Sequence, residues 1–267
     1  MPILAVRHLT RYRYARPARL GPQVLRLTPR PDARVLSHAL GVAPARHVVA
    51  EERDEHGNHV ARLIFPEPVT ELCIQARLVA DLAARDPEPW PQAPEGPPSL
   101  RAEDPGLRLR AFLDAMPREG RSALDLATGL AARVAAEVGH VLRPEPGVQP
   151  PEDTLARGKG SCRDSASLLV AALRQVGLPA RFVSGYLLQP GPEGGDGVDL
   201  HAWAEALVPG AGWIGLDPTS GGMTGPGHIP LAAAPHHEDA APLAGLASHG
   251  EVELSFHMQV ERLAEVP

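Results

Sequence analysis

Cysteine is scarce in this chain: there are 2 in 267 residues, Cys73 and Cys162, in differently patterned stretches. That excludes a disulfide-stapled scaffold and suits a reducing compartment, so a cytoplasmic protein is expected. No run approaches the roughly 18 apolar residues of a membrane-spanning helix. The first residues, Met1-Pro2-Ile3-Leu4-Ala5-Val6-Arg7-His8, meet charge too early for a signal-peptide core. Basic blocks are missing as well, and the formal charge is −6, which argues against a general nucleic-acid binder. Internal repeats, nucleotide-binding glycine motifs and EF-hand-like acidic loops are absent, so no cofactor and no calcium is called for.

A hydrophobic fraction of 43% can fill a core, and 26 glycines with 30 prolines predict many loops. The length allows one large domain or two ordinary ones. Residues 1–83 read as strands without intervening helices. Residues 5–14 mix β-formers with alternating polar residues and stop at Pro17; residues 24–28 and 39–42 give shorter strands. Residues 72–80 alternate again, with Cys73 as strand filler. Residues 48–53 and 60–65 flank Asp54-Glu55-His56-Gly57-Asn58, turn chemistry that predicts a hairpin. This set implies an antiparallel, sandwich-like β domain. Residues 84–99 are proline-rich with acids between and read as a linker.

The period changes in residues 100–250. A short helix is predicted near Leu107 to Asp114, and Ser122 caps a second whose apolar stripe runs from Leu124 to Val138. Residues 140–153 read as a proline-containing loop and 154–157 as a turn. Gly158-Lys159-Gly160-Ser161-Cys162 then runs straight into a helix. Leu168, Leu169, Ala172, Leu173 and Val176 form its buried face, and Gly177 and Pro179 stop it. Strands follow at 180–188, 200–208 and 212–218, the last two joined by Pro209-Gly210-Ala211-Gly212 as a hairpin. Residues 221–250 read as a long surface loop. A last alternating strand in 251–267 is expected to pack on one of the two domains. The fold class is α+β.

Cys162 stands at the mouth of its helix, where unpaired N–H groups and the helix dipole favour a thiolate. A thiol nucleophile needs a base to take and return its proton, and that base needs an orienting partner. The predicted hairpin supplies both: His201 begins one strand and Asp217 ends its neighbour, so the two fall side by side. Asp164, one turn into the helix, is expected to cap N–H groups or pair with Arg163, Arg181 or Lys159. Trp203 and Trp213 alternate with the catalytic positions and either wall a cleft or pack the core. A zinc set of Cys162, His201 and His228 is weaker than a triad, and His236-His237-Glu238-Asp239 lacks ligand spacing, so no metal is expected.

Gly158-x-Gly160-x-Cys162-Arg163-Asp164, His201-Ala202-Trp203-Ala204-Glu205 and Gly212-Trp213-Ile214-Gly215-Leu216-Asp217-Pro218-Thr219 resemble the bacterial transglutaminase-like superfamily. Tyr12-x-Tyr14-x-x-Pro17, Arg26-Leu27-Thr28-Pro29-Arg30 and Asp54-x-x-Gly57-Asn58 are similar to the β domain that often precedes its core. The resemblance implies a papain-like core with Cys162 as nucleophile, His201 as base and acid, and Asp217 as orienter. It implies a protein or peptide substrate attacked at an amide. Peptidase, amidase, deamidase and transglutaminase chemistry remain open, since they share a thioester. The alternatives are a catalytically silent binding module and a metal-dependent hydrolase. Ser165 and Ser167, and the stretch Ala234-Pro235-His236-His237, depart from the family pattern.

Overall fold

Alternation organises the first strand: Leu4, Val6, His8 and Thr10 are buried on one face of β1 (Ile3–Ala18). The computed structural model describes residues 2–83, 105–117, 119–143, 145–192, 195–248 and 251–264. The expected linker, 84–99, lies outside these residues. After β1 come β2 (Gln23–Leu25), β3 (Val35–Ala43), β4 (Val48–Arg53), β5 (His59–Ile64) and β6 (Val69–Asp81). Then follow α1 (Leu107–Asp114), α2 (Ala123–Glu137), β7 (Gly139–His140), α3 (Pro151–Arg157), β8 (Lys159–Gly160) and α4 (Cys162–Gln175). The remaining elements are β9 (Ala180–Gln189), β10 (Gly197–Val208), β11 (Gly212–Asp217), β12 (Gly222–Met223), β13 (His228–Ala234), β14 (Leu243–Ala244) and β15 (Val252–Leu263).

The chain is α+β, and its N-terminal part is an antiparallel sandwich. One sheet has the order β15-β1-β6-β3 and the other β14-β2-β5-β4. Between them lie Leu4, Val6, Leu25, Leu63, Leu72 and Ile74, among other buried residues. Each such side chain contributes about 1.5–3 kcal/mol on burial. The expected hairpin is β4–β5, paired from Val48↔Ile64 to Arg53↔His59. The C-terminal strand β15 joins this sandwich, pairing with β1 along its length. So does β14, which pairs with β2. Residues 221–250 are therefore not one surface loop: β12, the largely buried β13 and β14 all lie there, and pairing with β11, β9 and β2 gives them their strand conformation. Pro17 does not stop β1, because the register shifts between Arg13 and Ala18 and absorbs it.

The second part is a five-stranded antiparallel sheet, β12-β11-β10-β9-β13, with α4 packed on β10 and β9 and α2 beside α4, against β10, β11 and β12. Ala202, Ala204 and Ala206 of β10 are small and buried, so the Leu168, Leu169 and Leu173 side of α4 approaches the sheet closely. Ser122 caps α2 in a capping box with Asp125. Among the described residues no helix is long and apolar enough to cross a membrane. Residues 151–157 are a helix rather than loop and turn, because Pro151 occupies the first helical position, where a missing N–H is harmless.

Two polar motifs stitch the parts together. Asn58 Nδ2 donates to the Ala233 carbonyl at 3.0 Å, and the Ala233 N–H donates to Asn58 Oδ1 at 2.8 Å. Asp54 holds that side chain by accepting from Asn58 Nδ2 and from Arg26 Nε. Arg30 Nη1 donates to the buried Glu205 of β10 at 3.1 Å, and Arg181 Nε reaches the same carboxylate at 2.7 Å. The sandwich is thereby fixed to β10 and β13.

Candidate active site

Local sequence sets where α4 starts. Gly158 ends α3 in the left-handed region at φ 60°, and β8 then pairs in parallel with β7. A Cβ on Gly160 would come within 2.8 Å of the Asp164 Cβ, so only glycine fits there. Ser161 N–H and Oγ–H both donate to Asp164 Oδ2 at 2.8 Å, closing the helix start. Arg143 reaches the same carboxylate with Nε at 2.9 Å and Nη2 at 3.0 Å. Gln149 adds its backbone N–H at 2.8 Å and Nε2 at 2.9 Å. Burial works against the charge of Asp164, but bonds from Arg143, Gln149 and Ser161 hold it well below the usual carboxylate range.

Asp164 therefore caps the helix as expected, but its cation is Arg143 and not the Arg163, Arg181 or Lys159 that sequence proximity suggested. The proline-containing loop folds back over the helix start and brings Arg143 and Gln149 with it. Arg163 instead donates to the carbonyls of Arg143 and Glu145, and Arg181 belongs to Glu205.

Cys162 is the first residue of α4 and is half-buried against the helix–sheet core. His201 does not begin its strand: β10 starts at Gly197, and pairing with β9 extends it ahead of His201. The β10–β11 register, Ala204↔Leu216 through Val208↔Gly212, brings the middle of β10 beside the end of β11. His201 Nε2 accordingly donates to Asp217 Oδ2 at 3.1 Å. Thr219 Oγ1 lies 3.4 Å from the same Nε2. The imidazole's other partner is Cys162, so Nε2 serves the carboxylate and Nδ1 is left for the thiol. Burial disfavours the imidazolium, yet Asp217 and Cys162 push His201 up to about 9. Asp217 is buried, which also disfavours its charge; bonds from His201, His228 and Thr219 hold it far below the usual carboxylate range. Thr219 donates to Oδ1 through its N–H at 2.8 Å and Oγ1–H at 2.7 Å.

His228 is the partner that sequence reasoning missed, having weighed it only as a zinc ligand. Its Nε2 donates to Asp217 Oδ2 at 3.2 Å, and its Nδ1 accepts the Gly225 N–H at 3.1 Å. His201, Asp217 and His228 offer ligand atoms within 4.8 Å of one another, a spacing close enough for a metal. The donor chemistry is wrong for one. An Nδ1 that accepts an N–H carries no proton, so in the neutral ring Nε2 holds the proton and has no lone pair to coordinate with. His237 Nδ1 lies 3.2 Å from Glu238.

Trp203 is buried beside this cluster, its ring 5.2 Å from His228 in edge contact and 6.4 Å from His201. Gly185, opposite His201, makes room for it: a Cβ there would lie 2.4 Å from the indole and 2.3 Å from the Ile229 carbonyl. Trp203 is thus packing support. Trp213 lies toward the hairpin's turn, across from Leu207, with the Arg181 guanidinium 4.0 Å over its ring. It is away from His201 because the hairpin carries it to the opposite end. Ser165 is buried, and Ser167 lines a groove of about 260 Å³ with Pro235, His236 and His237 on another flank of α4. Cys162, His201 and Asp217 do not line that groove.

Residues 4–81 match the family model of the bacterial transglutaminase-like N-terminal region, and residues 110–218 match that of the transglutaminase-like superfamily. The chain is 29% identical to the uncharacterized protein Rv2569c of Mycobacterium tuberculosis, over 90% of this chain and 86% of that one. It is 26% identical to the uncharacterized protein ML0607 of Mycobacterium leprae, over 98% and 99%. The fold is shared with a candidate cysteine protease from Cytophaga hutchinsonii, at a TM-score of 0.61 and 19% identity, over 99% of this chain and 92% of that one. Matched in both its sandwich and its helix–sheet core, the chain belongs to the transglutaminase-like superfamily.

Proposed function

We propose that this chain is a cysteine-dependent acyl-transfer enzyme acting on peptide or glutamine amides. The observation that carries this reading is His201, set between Cys162 at a helix start and the buried Asp217 and kept protonated to about 9. Membership of the superfamily supports a cysteine-type enzyme. The Cys162 thiolate attacks the amide carbonyl, forming a carbon–sulfur bond and an oxyanion. The Cys162 N–H, without an intrahelical acceptor, is a donor toward that oxyanion. Collapse breaks the carbon–nitrogen bond, and His201 Nδ1 gives its proton to the departing amine or ammonia. Water then attacks the thioester and gives a proton to Nδ1; the thiolate leaves and the acid is released. An amine in place of water would yield a cross-link through the same intermediate.

The test needs no known substrate at first. Wild type is expected to be alkylated by iodoacetamide at Cys162 at pH 6, where an ordinary thiol hardly reacts. Cys162→Ala removes both that labelling and turnover. Mass spectrometry on a peptide and glutamine-donor library then reads cleavage, a one-dalton deamidation or amine addition. A Cys162 that reacts at pH 6 no faster than a free thiol sinks the reading.

A further inference from the structure

Asp217 has more donors than an orienting carboxylate needs. Thr219 satisfies Oδ1 twice, and Oδ2 is shared by two imidazoles, His201 at 3.1 Å and His228 at 3.2 Å. We propose that His228 is a positioning residue, a neutral imidazole that fixes the Asp217 carboxylate and draws off part of its charge so that His201 can still release its proton. This rests on the triad reading above.

The turn before β13 is built to hold that ring. The Gly225 N–H donates to His228 Nδ1 at 3.1 Å, and the His228 N–H returns to the Gly225 carbonyl at 2.9 Å. The turn is pinned to β9, because the Leu188 N–H donates to the Gly227 carbonyl at 2.8 Å. A Cβ on Gly227 would lie 2.1 Å from the Leu188 carbonyl oxygen, so the contact requires glycine. Trp203 presses its edge on the ring, and the His228 side chain is only 12% exposed. Its one free function is therefore the Nε2–H, and that points at Asp217.

The titratable groups at this cluster are Cys162 from α4, His201 from β10, Asp217 from β11 and His228 from β13; Trp203 and Thr219 do not titrate in the relevant range. A carboxylate oxygen that accepts from a second, neutral N–H holds an imidazolium less tightly than one that serves it alone. An imidazolium held too tightly is a poor acid toward the leaving amine. His228 thus limits how far Asp217 raises His201, and it does so without touching substrate.

Two measurements test this. Nitrogen-15 NMR of the wild-type imidazoles, at the pH where His201 titrates, is expected to show His228 with Nδ1 bare and Nε2 protonated; a doubly protonated ring there, or a proton on Nδ1, overturns the proposal. The second is the pH profile of Cys162 alkylation by iodoacetamide, whose upper step reports loss of the His201 proton. In His228→Phe that step moves to higher pH by about half a unit or more. In His228→Gln, whose amide restores an N–H donor, it returns toward wild type. An unmoved step, or one displaced downward, in a folded His228→Phe overturns the proposal, and so does a Gln variant that behaves like Phe. Circular dichroism confirms folding, and the wild-type tautomer decides the matter if the Phe variant does not fold. A wild type whose Cys162 lacks low-pH reactivity instead removes the triad reading, and this proposal with it.

Discussion

Three residues give the protein's stability a pH optimum. His201 is raised from 6.5 to about 9, so its folded environment favours the charged form. Its contribution is complete below about 6.5 and drains away as pH rises through about 9. Asp217 is depressed, so its contribution is complete above about 4 and is lost as pH falls further. His8, buried between Tyr186 and Thr10, is lowered to about 4 by burial, so the fold loses stability as pH drops from about 6.5 toward that value. These groups together favour a maximum near neutrality on the acid side. Urea denaturation between pH 6 and 9 is expected to show wild type weakening by a few kcal/mol and His201→Gln staying nearly flat. Parallel slopes in the two proteins would remove His201 as the cause. Cys162, His201 and Asp217 were legible because each chemistry admits few residue types and a local hairpin joins two of them. His228 and Arg143 were not. Their partners come from other loops, and an imidazole or guanidinium in a loop reads as a solvated side chain until the loop's path is known.

At the scale of elements, β9 and β10 hold the cluster by exchanging size. Trp203 lies across Gly185, and the absence of a side chain there keeps the indole against His228. Gly185→Ala puts a methyl inside both the ring and the Ile229 carbonyl, and neither side has slack, since Trp203 and Ile229 are buried. Overpacking of this kind costs about 1–3 kcal/mol. The variant is expected to melt several degrees lower, with altered tryptophan fluorescence and slower alkylation of Cys162. An unchanged melting temperature and spectrum would mean that the sheet yields at this position. Helices α2 and α4 and the β10–β11 hairpin could be read from periodicity, caps and turn residues, because those signals act within a few residues. α3 could not, since Pro150-Pro151 looks like a breaker and only the structure shows Pro151 at the first helical position. β14 was hidden for another reason: two residues have no period, and their strand conformation comes wholly from pairing with β2.

Across the whole molecule, the strands bearing His201 and His228 are tied to the sandwich by side chains more than a hundred residues away in sequence. The Asp54-to-Asn58 segment reads as a simple turn, and its turn chemistry is real: Asp54 Oδ1 accepts the His56 and Asn58 N–H groups. What the sequence could not reveal is that the turn presents Asn58 to β13. The Asn58 amide donates to the Ala233 carbonyl and to Asp54 while accepting the Ala233 N–H; an apolar residue can make none of these bonds, and a hydroxyl has only one proton to give. Asn58→Ala leaves a buried N–H and C=O of β13 without partners, at about 1–3 kcal/mol each. The expected loss is about 2–6 kcal/mol, read as a lower urea midpoint. Asn58→Asp is expected to be worse than Asn58→Ala. It keeps an acceptor for the Ala233 N–H but sets a buried charge against the Ala233 carbonyl and beside Asp54. Because β13 begins at His228, both variants are also expected to slow Cys162 alkylation, through a sheet that no longer holds its edge strand firmly. If Asn58→Ala matched wild type in midpoint and alkylation rate, the Arg30–Glu205 pair and the apolar contacts of the sandwich with β9 and β13 would suffice to hold the two parts together.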